Sequence, residues 1–184
     1  PLYSSAASDV YKRQRLRIIY STTLCLFSNA IFKGVGRHPK TCRKKGGIKV
    51  HSGIHANEGV PCDVQFTSAA TNGSFMLAPN YYQHEEIITM GRAYINCRKF
   101  EELTDKGVVY VTRMKMNLTY ETLVDCMEMN TAGKKEYREQ VVVFRRNEIS
   151  HIARIITYVD IKRNRQPKLI SLLTNVLTCH RRLL

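Results

Sequence analysis

The sequence predicts an α/β fold in which a mixed five-stranded sheet with flanking helices is followed by a β-rich unit, and three observations support this. Apolar runs that are rich in β-branched residues, or that alternate with polar residues, recur at the length of strands. The clearest amphipathic helix stands between two of these runs, as in a crossover connection. Beyond Lys115 the chain changes to strand-like pieces without helices. The predicted order is therefore β-β-β-α-β-α-β, followed by strands alone.

Five segments are expected to form the first sheet, with the first, fourth and fifth strands parallel. The first segment is rich in β-branched residues, which suit a pleated sheet better than a helix. The second and third alternate apolar and polar side chains and flank the turn signal Asn57-Glu58-Gly59, so we expect them to pair. The five segments are Leu16–Leu24, Gly47–Ala56, Val60–Thr67, Glu85–Met90 and Val108–Arg113.

A short helix is predicted between the third and fourth strands. Thr71 and Asn72 are both good residues to cap its N-terminus, and Pro79 is expected to kink the helix or end it early. The apolar stripe of this helix consists of Phe75, Met76, Leu77 and Tyr81.

A second helix is predicted from Ile95 to Lys106. Gly107 follows it, at the position where a helix C-terminus favours glycine. Its inward residues are Phe100 and Leu103, and its outward residues are Glu101, Glu102 and Asp105.

Four further strand-like pieces are expected to form a β-rich unit over residues 117–175. They are Tyr120–Met127, Tyr137–Arg146, Ile149–Ile161 and Leu169–Leu173. Residues 15–116 then form the first unit, and residues 176–184 an aberrant tail. Residues 1–14 are small and polar without useful periodicity, and they resemble a translated sequencing adaptor, so they are left out of the fold.

The composition indicates nucleic acid as the partner. The 184 residues are 43% hydrophobic, which is ordinary for a globular protein, but 29 Lys and Arg against 15 Asp and Glu give a net charge of +14. No apolar run approaches the ~20 residues that span a bilayer, so neither a membrane nor a signal peptide is expected. The six cysteines are scattered singly, which indicates free thiols in a cytoplasmic protein. No small-molecule ligand is expected.

A cationic loop follows the first predicted strand. Residues 33–47 carry six Lys or Arg and no acid, and their four glycines and one proline exclude a regular element. We expect the loop to contact the phosphates of duplex DNA, and a merely solvated loop is the alternative. The expected DNA-binding residues are Lys33, Arg37, Lys40, Arg43, Lys44, Lys45, Lys49, Arg92, Arg113 and Lys115.

Four short motifs resemble those of bacterial insertion-sequence transposases of the DDE class, in the group with a Tyr-Arg-Glu-Lys motif. The resemblance runs from about Arg15 to Asn175. The motifs are Ile31-Phe32-Lys33-Gly34-Val35-Gly36-Arg37-His38-Pro39, Gly46-Gly47-Ile48-Lys49-Val50-His51, Met90-Gly91-Arg92-Ala93-Tyr94 and Gly107-Val108-Val109-Tyr110-Val111-Thr112. The resemblance implies a ribonuclease-H-like catalytic core with a β-rich insertion. It also implies DNA transposition by metal-dependent strand cleavage and transfer.

The chemistry that this resemblance implies needs three carboxylates that hold two Mg²⁺ or Mn²⁺ ions. The first two are expected at positions where this chain has Tyr20 and Gly91. Glu85 and Glu86 precede Gly91 by about the length of a strand, so they cannot take its place. The third acid, a Glu on a helix after the β-rich insertion, is not reached before Leu184. This copy is therefore predicted to be a degenerate or truncated fragment that binds DNA but holds no metal and lacks catalysis.

Two residue patterns admit other interpretations. His51 and His55 would face the same side of a strand with a gap between them, which favours structural or DNA-facing roles over a metal site. Tyr20 beside Ser21 suggests a tyrosine nucleophile, but that chemistry needs a set of arginines and a histidine in a helical domain. The alternative function is a non-enzymatic basic nucleic-acid-binding module. The expected partners are duplex DNA and an intact transposase, in the bacterial cytoplasm and associated with the nucleoid.

Overall fold

A computed structural model describes residues 15–25, 47–129, 135–146, 149–160 and 168–177. Within these residues nine strands form one mixed sheet, accompanied by one α-helix and three 3-10 turns. The strands are β1 (Leu16–Cys25), β2 (Gly47–His55), β3 (Val60–Ser68), β4 (Ile87–Met90), β5 (Val109–Arg113), β6 (Glu121–Met129), β7 (Lys135–Arg146), β8 (Ile149–Asp160) and β9 (Lys168–Thr174). The helix α1 is Cys97–Asp105, and the 3-10 turns are Gly73–Met76, Pro79–Tyr81 and Arg92–Tyr94.

The sheet order is β3-β2-β1-β4-β5-β9-β8-β7-β6. β1, β4 and β5 are parallel to one another, and every other pair is antiparallel. A parallel pair needs a crossover connection, and α1 lies in the one between β4 and β5. The predicted α/β class, the mixed sheet and the set of parallel strands are confirmed. The first five strands differ from the predicted segments by at most two residues at either end.

The strands of the predicted β-rich unit continue the same sheet. β9 pairs with β5, so that Val111 lies opposite Thr174 and Arg113 lies opposite Leu172. All four predicted strands are present, again with ends shifted by at most two residues. The division of the chain at residues 116 and 117 remains a prediction, and residues 1–14 and 178–184 lie outside the described residues.

The helix predicted after Asn72 is wrong, because two 3-10 turns stand in its place. Asn72 does cap the first turn, since its side-chain oxygen accepts a hydrogen bond from the backbone N–H two residues later at 3.1 Å. Pro79 then holds the residue before it in an extended conformation, so a helix cannot continue. Phe75 and Tyr81, expected in an apolar stripe, are exposed.

Helix α1 begins two residues later than predicted, at Cys97. Asn96 sets this start, because its side chain accepts the backbone N–H of the residue three positions on at 3.3 Å. The helix ends before Gly107, whose φ of +68° is the left-handed conformation that favours glycine there. Phe100 and Leu103 are buried, as predicted. In the described part of the chain, no helix has the length and apolar character needed to cross a membrane.

A hydrogen-bonded trio with a buried histidine at its centre joins α1 to two strands. The Tyr110 hydroxyl on β5 lies 2.6 Å from Nε2 of His151 on β8, and Nδ1 of His151 contacts the carboxylate of Glu101 on α1. Phe100 stacks on the Tyr110 ring with 4.1 Å between the centroids. Burial raises the pKa of Tyr110, so its phenol remains protonated. Glu101 was expected to face outward. It is instead the hydrogen-bond partner of His151, and a buried polar side chain needs such a partner.

The hydrophobic core lies on one face of the sheet, under α1 and the 3-10 turns. Its largest members are aromatic and aliphatic side chains from the central strands, the turn after β4, α1 and the β-rich strands. They include Ile88, Met90, Tyr94, Phe100, Leu103, Tyr110, Phe144, Ile155 and Leu173. The core therefore spans the predicted boundary between the two units.

Replacing Glu85 by glycine should stabilise the protein. Glu85 has a φ of +65°, a conformation that costs an L-residue ~1 kcal/mol. The free energy of unfolding of Glu85→Gly, measured in urea, should rise by ~0.5–1 kcal/mol. Glu58→Gly is the matched control, because Glu58 is also an exposed turn acid but has a negative φ. Glu58→Gly should have the same free energy of unfolding as the wild type or a lower one. An equal loss of stability in Glu85→Gly and Glu58→Gly would contradict the prediction.

Candidate active site

The C-terminal ends of the three parallel strands lie at one edge of the sheet, where α/β proteins commonly place their sites. We call this the carboxyl edge, defined by the C-terminal parts of β1, β4 and β5 and the residues that directly follow β4 and β5. Ile19 pairs with Met90 across β1 and β4, and the residues that follow them along the chain are Tyr20 and Gly91. The register therefore makes these two positions neighbours. β1 continues past Tyr20 to Cys25, because its second half pairs with β2.

Neither Tyr20 nor Gly91 supplies the carboxylate that the resemblance assigns to its position. Tyr20 is 44% exposed, and Gly91 is exposed at the start of a 3-10 turn. A Cβ atom added to Gly91 would meet no atom within 4 Å, so a larger side chain would fit there. Among the residues that the structure describes, no group of three or more His, Cys, Asp or Glu could hold a metal ion. The residues present therefore do not fit a pair of Mg²⁺ or Mn²⁺ ions.

The acids that precede β4 do not replace the missing pair. Glu85 and Glu86 lie at the opposite end of β4 from Gly91. The carboxylate of Glu86 is buried 2.9 Å from Nε of Arg17, and it accepts the backbone N–H of Gln83 at 3.0 Å. Glu86 therefore holds the start of β4 in place and is far from the candidate site.

A row of hydrogen bonds fixes the turn after Gly91 against three strands. Tyr94, in that turn, bonds to Ser21 on β1, and its hydroxyl lies 3.1 Å from Nδ1 of His51 on β2. The other ring nitrogen of His51 lies 2.9 Å from the Thr67 hydroxyl on β3. His51 is thus a buried structural residue, one of the two roles that its sequence context favours. The contact of Tyr94 was missed, because no local pattern reveals a partner 43 residues away in the chain.

The row of hydrogen bonds is uncharged near neutral pH. Burial lowers the pKa of His51, and the positive charge of Lys49 lowers it further. Burial raises the pKa of Tyr94, while the hydrogen bond with Ser21 opposes this effect. Imidazole and phenol therefore both remain neutral, and they position the turn without adding charge to it.

Three of the predicted DNA-binding cations lie at the carboxyl edge. Arg92 follows β4 and is exposed, while Arg113 at the end of β5 and Lys115 beyond it are half-buried. No salt bridge joins any of them to an acid of the described residues. Lys49 is differently placed, since its ammonium donates to the Thr71 carbonyl. The other predicted cations lie outside the described residues; they are Lys33, Arg37, Lys40, Arg43, Lys44 and Lys45.

The strand directions bring more strand ends to the same edge. β2 and β9 begin at this edge. Because β9, β8, β7 and β6 are successively antiparallel, β8 and β6 end at the same edge and β7 begins there. The sequence segments that connect these ends are residues 26–46, 130–134 and 161–167. They contain ten Lys or Arg and no Asp or Glu. At the opposite edge lie the acids Glu58, Glu85 and Glu121. The cations Arg15, Lys106 and Arg145 lie at that opposite edge as well, and Asp160 ends β8 at the carboxyl edge.

The sheet order and its parallel centre are those of a ribonuclease-H-like α/β protein. The family model of the transposase DDE domain matches residues 12–175, and the chain belongs to this family. The family predicted from the motifs is thereby confirmed.

Comparisons with curated proteins and with solved structures give weaker similarity than the family model. No curated protein matches the chain. A cryo-EM structure of the piggyBac transposase synaptic complex with hairpin DNA is similar at 10% sequence identity and a TM-score of 0.44. The match covers 88% of this chain and 34% of that one, so this chain spans about a third of its length.

Folding stability should fall as the solution becomes more acidic. The pKa of His51 is lower in the folded protein than its ordinary value of ~6.5, so below that pH the unfolded chain binds more protons. The free energy of unfolding should therefore decrease between pH ~7.5 and ~5.5 in urea titrations. His51→Gln should lose part of this decrease, whereas His84→Gln, which changes an exposed histidine, should keep it. The same pH dependence in wild type and His51→Gln would refute the prediction.

Proposed function

We propose that this chain is a DNA-binding transposase fragment that does not carry out metal-dependent cleavage and joining. The observation that carries the proposal is the pairing of Ile19 with Met90, which Tyr20 and Gly91 directly follow along the chain. The family uses two acids there, as the resemblance implies, and neither is present. Membership of the transposase DDE family supports DNA as the ligand.

The proposed lack of catalysis follows from the chemistry of the two side chains. Transfer at phosphorus through two metal ions requires carboxylates that hold both ions and offset their charge. A phenol and a hydrogen atom cannot do this. What the chain's own residues supply is an anchored turn after β4 and a set of cations beside it, which are suited to bind and orient a phosphate backbone.

The proposed DNA interface is the carboxyl edge. Its described cations are Arg92, Arg113 and Lys115, and the sequence that connects the strand ends, residues 26–46, 130–134 and 161–167, has ten Lys or Arg and no acid. Each phosphate that such a group neutralises releases condensed counterions, which favours binding to DNA of any sequence. Contacts of this kind read the backbone rather than base edges.

A non-enzymatic role is the second candidate, because the cations are kept where the acids are lost. A chain that binds element ends without cutting them would compete with an intact transposase for the same DNA. It would do so in the bacterial cytoplasm, at the nucleoid, where that DNA lies.

The carboxyl edge should account for the salt dependence of DNA binding. Each phosphate contact contributes ~0.9 to the slope of log affinity against log salt, so three lost contacts lower the slope by up to ~2.7. The test variant is Arg92→Ala with Arg113→Ala and Lys115→Ala. The control, at the opposite edge, is Arg15→Ala with Lys106→Ala and Arg145→Ala. Titration of a duplex at several salt concentrations should show the lower slope in the first variant alone.

The same titration tests the cationic loop. Arg43→Ala with Lys44→Ala and Lys45→Ala should lower the slope by up to ~2.7 as well, and should weaken binding about equally for unrelated duplexes. The contrary outcome is an unchanged slope in the Arg92, Arg113 and Lys115 variant and in the loop variant, with a lower slope in the control variant. It would show that DNA binds away from the carboxyl edge.

Aspartates at positions 20 and 91 should create a weak metal site without activity. The variant Tyr20→Asp with Gly91→Asp places two carboxylates on neighbouring strands, and space is open at position 91. We expect it to bind Mn²⁺ in a paramagnetic titration, yet to show no strand transfer, because two carboxylates alone do not hold two metal ions and offset their charge. The control is Thr22→Asp with Gly91→Asp, which moves one carboxylate ~7 Å along β1. Equal Mn²⁺ binding by the control, or strand transfer by wild type, would contradict the assignment.

A further inference from the structure

The chain between β3 and the second 3-10 turn crosses the core without joining the sheet. We call residues 71–77 the strap; it has no charged side chain and contains the 3-10 turn Gly73–Met76. In the part of the chain that the structure describes, its backbone N–H groups bond only to oxygen atoms of residues 68–74. The strap therefore depends on its side chains, and on groups that reach its carbonyls, to stay in place.

Two lysines hold the strap by its carbonyl oxygens. The ammonium group of Lys49 on β2 donates to the carbonyl of Thr71, where the strap begins. The ammonium group of Lys99 on α1 donates to two neighbouring carbonyls, that of Ser74 at 2.7 Å and that of Phe75 at 3.1 Å. Hydrogen bonds from a charged donor are stronger than those between neutral groups. The two lysines thus supply polar links from the strap to β2 and α1.

Lys99 makes two of these three bonds. Burial lowers the pKa of Lys99, because its ammonium group has given up water for the carbonyls, and the negative charge of Glu102 opposes this effect. A half-buried ammonium group needs hydrogen-bond acceptors in place of water. Loss of the ammonium group would therefore remove two bonds from the centre of the strap.

Apolar contacts complete the closed strap. Leu77 is fully buried in the core, and Met76 packs against that core. Met76 also lines a small cavity together with Ile19 and His51. The closed strap therefore covers part of the row of hydrogen bonds that passes through His51.

The strap also packs on the turn after β4. A Cβ atom added to Gly73 would lie 3.2 Å from the Cβ of Ala93 and 3.3 Å from its carbonyl oxygen, so only a glycine leaves room for this contact without a shift. Ala93 belongs to the 3-10 turn Arg92–Tyr94, beside the predicted DNA contact Arg92. The strap and the turn are therefore in direct contact.

We propose that the strap opens as a local unit against the hold of Lys49 and Lys99, and that its closed form keeps the turn after β4 ready to bind DNA. The second part rests on the proposed function. Segments with few backbone bonds to their surroundings open at a lower free energy than the whole fold does. Opening would separate Gly73 from Ala93 and remove the support of the turn that carries Arg92. By linkage, DNA that binds the supported turn favours the closed strap.

Native-state hydrogen exchange tests the local opening without nucleic acid. The amide protons of Phe75 and Leu77 should exchange at rates that change little in low urea, because a local opening exposes little surface. The slowest amide protons of β5 should exchange much faster as urea is added, because they report global unfolding. The same urea dependence in the strap and in β5 would overturn the local opening.

The test variant is Lys99→Met, which keeps most of the length of the side chain but has no donor. Its matched control is Arg98→Met, which removes the same charge from the next residue of α1, an exposed one. In Lys99→Met the amide protons of Phe75 and Leu77 should exchange about tenfold faster, as the loss of hydrogen bonds from a charged group implies. That of Tyr94 should exchange faster as well, because its turn loses support. Arg98→Met should keep the wild-type rates, and wild-type rates in Lys99→Met would overturn the proposal.

A bound duplex tests the link to DNA. If only the closed strap binds, a duplex at about 100 times its dissociation constant should slow the exchange of Phe75 and Leu77 about 100-fold. Unchanged exchange in protein that has bound the duplex would overturn the link. A wild type that binds no duplex would contradict the proposed function instead, and the rate of Tyr94 in Lys99→Met would then decide whether the strap supports the turn.

Discussion

The parallel pairing of β1 with β4 is the constraint from which the rest of the structure follows. It sets Ile19 opposite Met90, and a slip of one residue would turn every side chain of β1 to the other face of the sheet. The correct register brings Ile19 into the core and leaves Tyr20 beside Gly91. It also directs the ends of β1, β4 and β5 to one edge, so the positions assigned to acids and the cations meet there. Arg17 secures the start of the pair through the buried Glu86.

The sequence was sufficient for the strands and for the family, since both depend on local patterns. Alternation and β-branched residues located the strands, and short motifs carried the resemblance to transposases. The helix after Asn72 failed because the apolar spacing of Phe75 and Tyr81 was given more weight than the restriction imposed by Pro79. Long-range partners stayed hidden for a different reason. Tyr94 and His51, and Glu101 and His151, are brought together only by the tertiary fold.

The proposed loss of two acids would leave a catalytic scaffold without its reactive groups. Two carboxylates on neighbouring strands repel each other unless a metal ion lies between them, so an active site of this type lowers the stability of the fold that carries it. Tyrosine and glycine remove that repulsion. The row of hydrogen bonds from Ser21 through Tyr94 and His51 to Thr67 stays intact, because it serves the sheet as well as the site. The fold therefore does not need the acids.

The trio of Tyr110, His151 and Glu101 has a consequence for the way the protein opens. Separating β8 from α1 would break the hydrogen bonds of His151 with Tyr110 and Glu101, which costs on the order of 1 kcal/mol for each bond, and would expose the packed aromatic rings to water. Partial detachment of the long outer strands is thereby made unfavourable compared with unfolding as a whole. We expect the central and outer strands to form one cooperative unit, in which the slowest-exchanging amide protons of β5, β8 and α1 report the same global event. The trio would then make the residues before and after position 116, which the sequence pattern assigns to two units, unfold together.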